Sequence, residues 1–233
     1  MIPGSLAGTG LLRTGAVGGG GDSFYDHEIG QSLLFDGVNS YLIRTVGTPT
    51  NVNKFTWSGW IKRWKLKHAS GSQYFTLFKC ISGGGGTNTM FGYGTDDALF
   101  AGVNSSYDGD NNGSNALFRD VTSWFHFVIA IDTTQGSNDD RVKVYANGLQ
   151  LSGFTKSIAQ NEEVHYNKSG ATLYIGNNLH TESNQYNLGG YLAEMVIIDG
   201  QQLTPSSFGE TKAGVWIPKD PSGLTFGNNG GYY

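Results

Sequence analysis

The chain has 233 residues, 36 of them Gly, with 15 Lys+Arg, 19 Asp+Glu and a formal net charge of −4. Charged residues make up 15% against a usual ~25%, and Gly is about twice its usual ~7%, which excludes a coiled coil or long-helix protein. No Lys/Arg block offers a surface to nucleic acid or to an anionic membrane, and no 18-residue apolar run marks a membrane span.

Residues 1–30 carry nine glycines, including Gly18 to Gly21, with neither a strand nor a helix period. They are predicted to be an arm. Ordering so Gly-rich a segment costs more entropy than most, so an ordered arm implies docking onto a neighbouring subunit. There is no apolar core of a signal peptide in it. From Ser32 onward, short aromatic and β-branched runs alternate with Gly/Asn/Asp clusters, the pattern of an all-β sandwich or barrel. Strands are predicted at 33–35, 41–44, 55–62, 74–79, 90–93, 99–103, 124–132, 141–145, 149–152, 173–176 and 191–198.

Asp36-Gly37 reads as a turn, and Asn147-Gly148 as a type I′ hairpin turn, since both central positions of that turn need positive φ. The almost continuous apolar run Trp124 to Asp132 requires burial on both faces. Arg141 to Tyr145 alternates and is predicted to have one solvated face. Thr204 to Gly209 has a capping Thr, a Pro at the first helical position and a closing Gly, enough for a single helical turn packed on one corner. The lone Cys80 excludes an internal disulfide framework, so the fold must close by packing.

The segments Ser32 to Gly37, Phe55 to Arg63 and Trp124 to Val128 come in an order and spacing that resemble the laminin G-like, concanavalin A-like jelly rolls. Tyr145-Ala146-Asn147-Gly148, Leu173 to Gly176 and Gly190 to Glu194 continue the resemblance, which covers roughly Ser32 to Ala213. It implies an all-β antiparallel jelly-roll β-sandwich with extended terminal arms: an arm over 1–30, a sandwich over 31–216 and a tail over 217–233. The stretch Ile198 to Glu210 with Gly214 to Lys219 resembles the jelly-roll domains in virion proteins of tailed phages. That resemblance implies a structural virion protein, attached to capsid or tail through its arms, in a homo-oligomer beside other virion subunits. The alternative is a module that binds host-surface glycans, because sandwiches of this type often hold sugars in rim loops.

Catalysis is not expected. Hydrolases of this fold place carboxylates at alternate positions of one strand; Glu162 and Glu163 are adjacent, and Glu194 has no partner two residues on, so all three read as surface or strand-end charges. His126 lies in the most apolar strand with no ligand-spaced neighbour and reads as a hydrogen-bonded structural histidine. His27, His68, His165 and His180 form no metal set, and Cys80 reads as buried.

Asp108, Asp110 and Asn112 match the first half of a calcium-binding EF-hand loop, but the bidentate Glu position holds Arg119, so an Asx-rich loop competes with calcium there. Asp96-Asp97 and Asp139-Asp140 are further rim candidates. Trp57 faces away from Trp60 and Trp64, so at least one is core. Trp64, between Arg63 and Lys65, reads as a packed rim residue, or else as the candidate for stacking on a sugar or another subunit. Gly83 to Gly86 lacks the Gly-Lys-Ser/Thr and helix of a phosphate loop.

Overall fold

The computed structural model describes residues 24–66, 75–82, 88–104, 113–154, 158–177 and 187–233. Two antiparallel sheets form a sandwich. The first is built from β1 (Leu33–Asp36), β12 (Gly189–Asp199), β3 (Lys54–Arg63), β8 (Phe125–Asp132), β9 (Val142–Ala146) and β10 (Leu149–Gln150), in that order, with β15 (Gly231–Tyr232) also on β12. The second runs β2 (Leu42–Thr45), β11 (Thr172–Ile175), β4 (Phe75–Ile81), β5 (Asn88–Tyr93), β6 (Ala98–Gly102) and β7 (Gly113–Leu117). A separate hairpin joins β13 (Gly209–Lys212) to β14 (Val215–Pro218). Among the described residues, no helix is long and apolar enough to cross a membrane.

Alternation along β3 divides its side chains. Phe55, Trp57 and Ile61 enter the core between the sheets, while Thr56, Ser58 and Trp60 face outward. Trp57 is fully buried and stacks on Phe78 at 5.1 Å between ring centroids. Truncating such a residue to Ala costs about 3–5 kcal/mol. The outward face of this sheet is also buried, under a second cluster of Val128, Ala130, Tyr145, Val196, Ile198 and Phe208. The single turn at Pro205–Ser207 delivers Phe208 to that cluster.

Several predicted features stand as read. Asn147 and Gly148 have φ of 45° and 81° in the β9–β10 turn, and β8 is buried almost throughout. Two are corrected. The outer face of Arg141 to Tyr145 is only partly solvated: Lys143 reaches solvent, but Tyr145 is only 9% exposed, because Phe208 and its neighbours cover it. Nor is Glu194 a surface charge. It sits inside β12 at a β-bulge, where the register to β3 shifts between Ala193 and Val196, with a side chain 9% exposed.

Strand β7, of sequence GSNAL, has weak strand propensity; it is held by β6 and by Asn115 N–H donating to Ser152 O at 2.9 Å. β13, β14, β15 and the short helix α1 (Asn138–Arg141) also escaped the sequence reading. Residues 218–233 fold back on the first sheet: β15 takes the edge of β12 that β1 leaves vacant, with Val196 opposite Tyr232.

Candidate functional site

The outward face of β3, β8 and β14 carries a groove of about 590 Å³ lined by Trp60, Trp124, Trp216, Pro218 and the N-terminal stretch from Tyr25 to Ser32 without Asp26. Trp60 lies at its base, 7% exposed, by the same alternation that sends Trp57 inward. Trp124, just before β8, is 37% exposed and packs beside Tyr191 at 6.4 Å between rings. Trp216 comes from β14, in register with Thr211.

Beneath these rings His126 organises the polar atoms. The Trp216 indole N–H donates to His126 Nδ1 at 3.1 Å, and His126 Nε2 lies 2.8 Å from Ser58 Oγ. An indole nitrogen can only donate, so Nδ1 carries no proton and Nε2–H donates to Ser58. The imidazole lies near-parallel to the Trp216 ring at 5.8 Å between centroids and tilted against the Trp60 ring at 5.0 Å. Burial pushes its pKa down to about 3, so it is neutral in ordinary buffers.

Trp216 rests on two glycines. A Cβ on Gly148 would come within 2.5 Å of its ring, and one on Gly209 within 2.6 Å. Asn147 adds to the seat, its Oδ1 accepting from His126 N–H at 2.8 Å. The opposite wall, the N-terminal segment, is pinned at two points: His27 Nε2 lies in hydrogen-bond contact with Glu194 Oε1, and Lys212 Nζ forms an ion pair with Asp26 Oδ1, each at 3.1 Å.

Behind this wall lies a second cavity of about 600 Å³, which shares His27, Glu28, Gly30, Gln31 and Ser32 with the groove and adds Leu33, Leu42, Leu192, Glu194, Tyr232 and Tyr233. Glu194 has φ of +49°, rare for a residue with a side chain, and the bulge turns its carboxylate toward His27. Its Oε2 is buried without a well-formed hydrogen bond among the described residues. Burial and that carboxylate push the Tyr232 phenol up.

Trp64 lines neither cavity. It is 46% exposed at the sandwich rim, its ring against Gly37 and Gly189 and its N–H donating to Phe35 O at 3.3 Å. Asp108, Asp110 and Asn112 lie outside the described residues, as do His68, His180 and Gly83 to Gly86. Asp97 is held by Arg63 at 3.1 Å and Arg119 at 3.3 Å, and Asp140 by Lys143 at 3.0 Å. Among the described residues no cluster of three or more His, Cys, Asp or Glu could hold a metal. Cys80 is buried with its pKa pushed up to about 12, an inert thiol whose S–H donates to His165 O, Sγ to O 2.9 Å.

The residues that the structure gathers, Tyr25, Trp60, Trp124 and Trp216, span nearly the whole chain. Sequence reasoning placed Trp60 opposite Trp57 but had no local signal linking it to Trp216.

A family model described as the concanavalin A-like lectin/glucanases superfamily matches residues 36–207. No protein of curated function matches the chain in sequence. Among solved structures, a heptameric SAP-like pentraxin from Limulus polyphemus is similar at 18% identity and a TM-score of 0.51, over 73% of this chain and 76% of that one. A Trypanosoma rangeli sialidase complexed with 2,3-difluorosialic acid aligns at 15% identity and a TM-score of 0.53, over 77% of this chain but 27% of the sialidase. A Bacteroides ovatus protein to which carbohydrate binding is ascribed aligns at 15% identity and a TM-score of 0.50, over 89% of this chain and 60% of that one. At these identities the likeness is one of fold.

Proposed function

Because the chain belongs to the concanavalin A-like lectin/glucanases superfamily, we propose that it is a non-catalytic carbohydrate-binding domain that holds a sugar chain in the groove of Tyr25, Trp60, Trp124 and Trp216. The aromatic groove carries this reading. Pyranose rings have an apolar C–H face and a hydroxyl edge, and the groove pairs indole faces with polar side chains on one wall. Its described lining holds one carboxylate, Glu28, whereas glycoside hydrolysis ordinarily uses two. The experiment is a glycan array followed by titration calorimetry on the full chain. Sugar binding that Trp124→Ala weakens about tenfold supports the reading, and a flat array overturns it.

The same domain is proposed to act in the virion of a tailed phage, as a homo-oligomeric subunit beside capsid or tail proteins, with a host-surface glycan as its ligand. The support is the stretch 198–219, which resembles tailed-phage virion domains and here supplies the Pro205–Ser207 turn, the β13–β14 hairpin and Trp216 of the groove. Removing residues 1–23, which leaves the ion-paired wall intact, should abolish incorporation into particles. Normal incorporation of that truncation overturns the anchoring role.

A further inference from the structure

We infer that the N-terminal segment 25–32 is the specificity element of the groove, and that it selects uncharged or amino-bearing sugar chains over acidic ones; the inference rests on the carbohydrate-binding reading above. At the Trp216 end the sheet gives a ligand little but ring faces. The Trp216 N–H is committed to His126 Nδ1, and His126 Nε2 to Ser58. Neither residue has a polar atom left to read a hydroxyl.

Readout therefore falls to the opposite wall, where Glu28, Gln31 and Ser32 are exposed along the groove. Among the described lining residues there is no Lys or Arg. Lys62, two residues from Trp60 on β3, does not line the groove, and Lys212 is paired with Asp26. An acidic sugar would thus meet the Glu28 carboxylate with no Lys or Arg among the described lining residues to offset it, and like charges brought together in a partly desolvated site disfavour binding. A neutral sugar donates its hydroxyls to that carboxylate, and an amino sugar adds charge attraction.

The wall stands where it does because of Glu194. The β12 bulge carries this carboxylate to His27, so Glu194 positions the wall without lining the groove. Losing the pair should loosen the polar wall and leave the Trp face in place, which lowers selectivity as well as affinity.

The test is titration calorimetry of the full chain with cellohexaose, maltohexaose and mannohexaose as neutral probes, chitosan hexamer as the amino probe and hexagalacturonate as the acid. The expected result is at least tenfold tighter binding of a neutral or amino probe than of hexagalacturonate. Glu28→Lys should narrow that ratio to below threefold with an unchanged melting temperature, and Glu194→Gln should narrow it while leaving the Trp124 contribution intact. Trp124-dependent binding that favours hexagalacturonate, or a ratio unmoved by Glu28→Lys, overturns the selectivity alone. Failure of every probe together with a flat glycan array overturns the carbohydrate reading and this inference with it.

Discussion

Trp216 Nε1 donates to His126 Nδ1 across 3.1 Å, joining the β13–β14 hairpin to the middle of the first sheet. This bond exists only while the imidazole is neutral, since a protonated Nδ1 has no lone pair to accept it.

A pH dependence follows. His126 titrates near its ordinary 6.5 when unfolded but at about 3 when folded, through burial. Between these values the unfolded chain binds the extra proton, so this group makes folding less favourable as pH falls, by at most about 1.4 kcal/mol per pH unit. Above pH 6.5 its contribution is constant. Urea unfolding at pH 7, 5.5 and 4 should show the decline, and His126→Gln should flatten it; parallel profiles for the two proteins would refute the assignment.

Asp199 is expected to be a principal fastening of the C-terminal tail to the 50–51 loop and Asn167. It is 1% exposed, and its carboxylate accepts from Thr50 N at 2.7 Å, Asn51 N at 3.3 Å, Asn229 N at 3.1 Å and Asn167 Nδ2 at 2.5 Å. Asp199→Ala leaves these buried donors without an acceptor and should cost about 3 kcal/mol or more. Chemical denaturation measures it, and a loss below about 1 kcal/mol would show that water replaces the carboxylate.

Gly148→Ala should disturb the groove from outside it. The site has φ of +81°, and a Cβ there would stand 2.5 Å from the Trp216 ring. The expected cost is about 1–2 kcal/mol, with a changed Trp fluorescence as the indole shifts off His126. An unchanged spectrum would place Trp216 elsewhere in solution.

Trp124→Ala separates binding from folding. Its ring is 37% exposed, so its loss should alter stability by no more than about 1 kcal/mol while lowering sugar affinity about tenfold, or about 1.4 kcal/mol. Equal affinity in the two proteins would take the ligand out of the groove.

Where structure rests on local chemistry, the sequence was a sufficient guide. The alternation in Phe55 to Lys62, the apolar run of β8 and the Asn147-Gly148 turn each express a constraint that nearby residues satisfy or violate by themselves, and each stands where it was read. β7 was not legible because its GSNAL sequence is a strand only through partners supplied by β6 and Ser152. Glu194 was misread for the same kind of reason: Ala193-Glu194-Met195-Val196 gives no sign of the bulge that turns the carboxylate inward.

The sequence by itself determined an all-β sandwich or barrel, because side-chain period and turn stereochemistry operate over a few residues, and the resemblance of its segments to the concanavalin A-like jelly rolls narrowed that to one fold. Tertiary structure alone decided that Trp216 would close over His126, that β15 would fill the edge of β12 beyond β1, and that Tyr25 would face Trp60 and Trp124 across a groove. Those relationships join residues far apart in the sequence. No local pattern encodes them, because they depend on which buried faces and unpaired strand edges remain to be covered once the two sheets have packed.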